Sequence, residues 1–171
     1  MVALSFFGFL RISEVLSLKI SHLSLCSNRA LLYLTHGKTD QFGAGNWVLI
    51  ASGGPLPDPL TILRTYCDQL SATDATLDRP AYVGSRPLLR SLQRSHRTQR
   101  LSGQPLTYGA ALRALRDVLQ QLGYDPARFG THSLRSGGAS TAINVGVPHH
   151  LVQRHGRWRA PESMDAYLAH D

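Results

Sequence analysis

The sequence predicts a mainly α fold with a small antiparallel β-sheet (α+β). Two observations carry this. Three short segments between residues 22 and 50, HLSLC, RALLYLT and NWVLI, are rich in strand-forming residues and are separated by turn-formers. Elsewhere, apolar residues recur at three- and four-residue intervals between prolines and glycines that open and close helices. With 171 residues, 43% of them hydrophobic, the chain has the length and composition of one domain, 1–171, able to bury a sizeable core.

Residues 2–18 read as one helix, with Leu10, Val15 and Leu18 spaced among polar positions. Its opening, MVALSFFGFL, lacks the basic flank and small-residue cleavage site of a signal peptide, and Arg11 and Glu14 follow without a break. A buried helix is the better reading, and its abrupt start points to a missing upstream part. The three strands follow, with HGKTDQFGAG as the turn between the second and third, so Lys38 sits at a hairpin tip. GGPLPDPL leads into a helix over about Pro59 to Leu70, marked by Leu60, Leu63, Tyr66, Cys67 and Leu70.

From Arg79 to Arg116 no acidic residue occurs and eight arginines do, which predicts a basic, loop-like surface. Polar residues between the arginines of RSLQRSHRTQRLSG favour phosphate contact by Arg86, Arg90, Arg94, Arg97 and Arg100; arginine enrichment by codon bias is the alternative. Thr107 caps a helix running to Leu122 and ended by Gly123. Further helices are expected over Ser133 to Val145, from Pro148, and from Pro161.

Eighteen basic against 11 acidic residues give a net charge of +7, which selects a polyanionic partner, nucleic acid or an acidic membrane surface. Sixteen of the 18 are arginines; Lys19 and Lys38 are the lysines. Cys26 and Cys67 form neither a metal-ligand spacing nor a disulfide framework, which fits a reducing compartment. No apolar run is long enough to span a membrane. His149, His150 and His155 have no cysteine or carboxylate at ligand spacing and read as helix-surface and turn residues rather than a metal site.

In THSLRSGGAST, His132 and Arg135 lie three apart on one helix face, while Gly137, Gly138 and Ala139 permit close backbone approach. Such a pair can hold an anion, but alone it is a weak signal. It has company: Arg11 and Glu14 in GFLRISEVLSL, Lys38 in the hairpin, and Trp158 and Tyr167 in HGRWRAPESMDAYL. Trp158 follows Arg135 by 23 residues, and Tyr167 follows Trp158 by nine. This ordered set resembles the catalytic domain of the tyrosine recombinase (phage integrase) family. FGTHSLRSGGAST, GVPHHLVQRHGRW and the terminal DAYL look most like the recombinases of eukaryotic mobile elements, such as Crypton-like sequences.

The resemblance implies a DNA breaking and rejoining domain, N-terminally truncated, with the family's DNA-clamping domain absent. Tyr167 would attack a backbone phosphodiester of double-stranded DNA, giving a 3′-phosphotyrosine and a free 5′-hydroxyl. Arg11 and Arg135 would clamp the non-bridging oxygens and Lys38 would protonate the leaving 5′-oxygen. His132 would bond the phosphate or assist the tyrosine's proton, and Trp158 would donate its indole N–H and pack the site. Glu14 would orient a cationic neighbour. No metal, ATP or other cofactor is implied.

The implied outcome is site-specific recombination or mobile-element integration. It would take place inside the cell, in the nucleus of a eukaryotic host or otherwise in the cytoplasm, with no membrane partner. Assembly as a tetramer on synapsed DNA is the family pattern, but only four residues follow Tyr167, where relatives often carry a docking helix. Two other readings stay open: a non-catalytic DNA-binding remnant, and a nicking-closing enzyme like type IB topoisomerases.

Overall fold

The computed structural model describes residues 1–35, 44–53, 57–76, 83–95 and 98–165. The predicted hairpin turn with Lys38, the terminal Tyr167, and Arg97 lie outside the described residues, as does the side chain of Arg94. The architecture is mainly helical, with antiparallel strands confined to the first two-thirds of the chain.

The helix expected over residues 2–18 is in fact two: α1 (Val2–Phe7) and α2 (Ile12–Ser17). The chain turns out of helix at Gly8 and crosses Phe9 with φ +47°, a left-handed value rare for a bulky side chain. Arg11 then caps α2, and the Glu14 carboxylate accepts the Arg11 backbone N–H at 2.8 Å. Periodicity suggests a continuous helix because the break leaves it intact: Leu4, Leu10, Val15 and Leu18 are all buried in one cluster. Phe9, between them, faces a second cluster instead.

β1 (Leu23–Leu25), β2 (Arg29–Leu34) and β3 (Asn46–Ala51) form the predicted antiparallel sheet in the order β1-β2-β3. Register pairs Ala30 with Ile50 and Leu32 with Val48, so the period of two places one apolar face inward. That face meets α1, α2 and α3 (Pro59–Thr76), whose Leu60, Leu63 and Leu70 complete the first core. α3 runs six residues past the predicted end.

The predicted basic loop contains a second sheet, the hairpin of β4 (Arg90–Ser95) and β5 (Thr98–Pro105). Sequence patterning misses it because these strands carry few β-branched or aromatic residues. Arg90 also differs from its expected role as a DNA contact. Only 3% exposed, it gives Nη1 and Nη2 to Asp74 at 2.6 and 2.9 Å and Nε to the Pro87 carbonyl. Arg86 adds a third bond to Asp74 at 2.6 Å, so it too is held by an internal carboxylate. Arg100 remains exposed.

Hydrogen bonds from Arg90 and then Arg86 hold the Asp74 pKa below its ordinary 3.8, against the opposing effect of burial. A depressed carboxylate stabilises the fold above its unfolded pKa, and that stability is lost as pH falls through the folded value. Asp74→Asn leaves Arg90 buried without its counter-charge and should cost about 3 kcal/mol. Urea midpoints measured from about pH 6 to about pH 3 should show the variant uniformly weaker near neutrality. The gap should narrow in acid; a constant gap would contradict the assignment.

α4 (Tyr108–Gln121) begins where expected, with the Thr107 hydroxyl accepting the Ala110 N–H at 3.3 Å. α5 (Thr131–Asn144), α6 (His149–Gly156) and α7 (Pro161–Asp165) follow. α5 packs on α1 so closely that a Cβ at Gly138 would overlap the Phe6 carbonyl oxygen. The small-residue run after Arg135 therefore serves helix contact. The second core, Phe9, Ala139, Val152, Trp158 and Met164, joins the α1–α2 break to α5, α6 and α7. No described helix is long and apolar enough to cross a membrane.

Candidate active site

The break between α1 and α2 presents the carbonyls of Phe7, Gly8 and Phe9 to the C-terminal half of the chain. A helix would have consumed those acceptors internally; the break frees them for side chains more than 120 residues away. Arg135 of α5 donates Nη1 to the Phe9 carbonyl and Nη2 to the Gly156 carbonyl, the latter at 2.7 Å. Arg157 donates to Gly8 and His155 carbonyls through Nη1 and to the Phe9 carbonyl through Nη2. His155 places Nε2 2.8 Å from the Phe7 carbonyl, so that nitrogen carries the ring proton. Burial holds the His155 pKa below 6.5; Arg157 and Arg135 push the same way, and the Phe7 bond opposes them.

Glu14, 5% exposed, is the carboxylate at the centre. It accepts Arg11 Nη1 at 3.1 Å and Arg157 Nη2 at 3.1 Å, and lies 4.0 Å from Arg135 Nη1. Three guanidiniums thus converge on one carboxylate. The surplus of positive charge in a partly desolvated place is an electrostatic demand for an anion. The side chain of Arg11, 19% exposed, is the guanidinium nearest solvent. His132 is exposed beside it: burial, then Arg135, then Arg11 lower its pKa below 6.5, so the ring is neutral at neutral pH.

Trp158 closes the floor. Its ring lies under the Arg135 guanidinium, 4.4 Å from the centroid, and itself is only 6% exposed. A Cβ at Gly156 would overlap that ring, which explains the glycine before Arg157 and Trp158. Arg157 ends α6 with φ +59°, so the described non-glycine residues with positive φ, Phe9 and Arg157, both border this cluster. Backbone strain collected at one place is characteristic of a functional site.

The structure brings Arg11 and Glu14 of the α2 start, His132 and Arg135 of α5, and Trp158 just past α6 together. It leaves Arg86 and Arg90 in a different cluster with Asp74. Arg135 departs from the expected phosphate clamp: with no exposed surface, its fork spans two backbone carbonyls and stacks on an indole. Arg157 was not anticipated. The sequence signal for it is indirect: a buried Glu14 needs more positive charge than Arg11 supplies, and RHGRW is the arginine-rich turn beside Trp158.

No protein-family model matches the chain, and no curated protein matches it by sequence. Solved structures do. The XerH site-specific recombinase bound to difH substrate, in a pre-cleavage complex, superposes with a TM-score of 0.67 at 17% identity, over 97% of this chain and 40% of that one. XerA recombinase gives 0.63 at 17% identity, over 99% and 52%. The Tn1549 transposon integrase in complex with circular intermediate DNA gives 0.61 at 15%, over 99% and 52%. The fold is therefore that of the tyrosine recombinase catalytic domain, and the chain spans about half or less of the length of these structures.

Proposed function

We propose that this chain is a tyrosine recombinase catalytic domain that cleaves and rejoins double-stranded DNA. The observation that carries the reading is the convergence of three guanidiniums on Glu14, with His132 at its solvent edge, inside this fold. A phosphodiester entering beside Arg11 and His132 supplies the missing negative charge. The charge that grows on its non-bridging oxygens in the transition state meets Arg11 directly and the fields of Arg135 and Arg157 from below.

Tyr167 Oη attacks phosphorus, the bond from phosphorus to the 5′-oxygen breaks, and the 3′-phosphotyrosine retains the bond energy for rejoining. The tyrosine proton passes to neutral His132, and Lys38 protonates the departing oxygen. The motifs around His132 and Trp158 support the finer assignment to mobile-element recombinases of the Crypton-like kind, acting in integration inside the cell.

One assay tests the reaction and its general acid together. A pool of nicked duplexes randomised around the nick, which lets the cleaved end diffuse away, should yield a covalent protein–DNA band on a denaturing gel. With sulfur in place of the bridging 5′-oxygen, the leaving group departs without protonation. Lys38→Ala should therefore lose the band by on the order of a hundredfold on oxygen and recover it on sulfur. An equal defect on both substrates would remove Lys38 from that role. A chain that binds duplex yet forms no band on either would instead be a DNA-binding remnant, a reading that the burial of Arg135 favours.

A further inference from the structure

The first sheet carries a row of aromatic rings on the side away from the core. Strand alternation turns Leu32, Leu34, Val48 and Ile50 inward, so Tyr33 and Trp47, paired across β2 and β3, face outward. Their ring centroids lie 5.0 Å apart, and the His22 ring continues the row 6.4 Å beyond Tyr33. Leu31 and Leu49, the next outward pair, extend the surface along the strands. Trp47 is 65% exposed, a large apolar area to leave in water. Tyr33 is fixed in place: its hydroxyl donates to the Ala44 carbonyl at 3.3 Å, and Gly45, at φ +71°, leaves room that a Cβ would take from the Tyr33 ring.

The surroundings are positive. Residues 15–39 and 41–57, which hold the three strands and the segments joining them, contain no carboxylate. Lys19 stands beside His22, whose Nδ1 accepts its backbone N–H, and Arg29 is exposed on the outward face of β2.

We propose that this face stacks bases of single-stranded DNA, those of the strand freed when the phosphodiester breaks. The inference rests on the recombinase reading for the kind of polymer and adds a second mode of binding to it. An exposed indole offers its π-face to any unstacked base, while Lys19 and Arg29 attract the strand's phosphates. A duplex hides its base faces within its own stack, so the surface favours unpaired nucleotides. Position fits this role. Gly45 and Asn46, immediately before Trp47, line a cleft together with Arg157 and Trp158 of the candidate site. Cleavage there leaves a strand ending in a 5′-hydroxyl and held to its partner by pairing alone, and bases that unpair at the break emerge beside β3.

The chain has two tryptophans, and Trp158 is only 6% exposed, so quenching of tryptophan emission by a stacked base reports on Trp47. Titrating the whole chain with an oligothymidine of about 12 nucleotides should quench that emission. Trp47→Ala should weaken oligothymidine binding, read by polarisation of a label on the strand, by on the order of tenfold. Trp47→Phe, which keeps a stacking ring, should lose less than about threefold. Trp47 belongs to neither core, so both variants should fold, and neither should change duplex affinity by more than about twofold.

No single-strand binding, or binding that is unchanged in Trp47→Ala or leaves the emission unquenched, overturns the stacking face while duplex binding keeps the recombinase reading. An equal loss on duplex makes Trp47 a duplex contact and also overturns it. A dimer in sedimentation that Trp47→Ala dissolves would assign the face to a second copy of the chain instead. Absence of binding to single strand and duplex alike overturns both readings.

Discussion

Tyr167→Phe should abolish the covalent DNA adduct while leaving duplex affinity within about twofold, since one hydroxyl among 18 basic residues contributes little to binding. Trp158 is pinned beneath Arg135, and α7 ends at Asp165, two residues before the tyrosine. α7 itself is packed into the second core through Met164. Phenylalanine removes the attacking oxygen rather than weakening it.

The structure supplies the controls. Tyr108 and Tyr124 are exposed and could be modified adventitiously. Tyr66 is committed, its hydroxyl donating to the Leu88 carbonyl and accepting the Arg90 N–H. Tyr108→Phe and Tyr124→Phe should therefore give the full adduct yield. An adduct that survives Tyr167→Phe and disappears with either control would move the nucleophile.

Arg135→Ala should act first on folding. Removing this side chain strands the buried Gly156 carbonyl, worth about 1–3 kcal/mol when left unpaired, and leaves the Phe9 carbonyl to Arg157 alone. It also empties the space above the Trp158 ring. A total of about 4 kcal/mol corresponds to a melting temperature lower by roughly 10 °C for a chain of this size. Arg135→Lys should fall between, because an ammonium can satisfy one carbonyl at a time and cannot stack as a planar fork. If Arg135→Ala instead melted within about 2 °C of the unaltered chain and lost cleavage alone, the guanidinium would be a direct substrate contact.

Much of the architecture was legible in the sequence because it depends on local chemistry. The three strands alternate or cluster apolar residues between turn-formers, the α4 start carries its own capping threonine, and the C-terminal helices sit between glycines and prolines. Where local signals are silent, the reading failed. The β4–β5 hairpin is mostly polar, with only Leu92 and Leu101 aliphatic in its strands, and the α1–α2 break leaves the apolar period intact.

Arg11, Glu14, His132, Arg135 and Trp158 stand out as a set in the sequence, whereas Arg157 does not. The division of labour within the set was not legible there. Periodicity can say that Arg135 shares a face with His132, but only packing decides that its fork meets two carbonyls and an indole while His132 stays at the surface. The same holds for Arg90, which reads as one more basic surface residue until Asp74 is found against it. Whether an arginine serves substrate or fold depends on which acceptors the folded chain leaves unsatisfied around it. Those acceptors lie up to 149 residues away in the chain, so tertiary structure alone decides it.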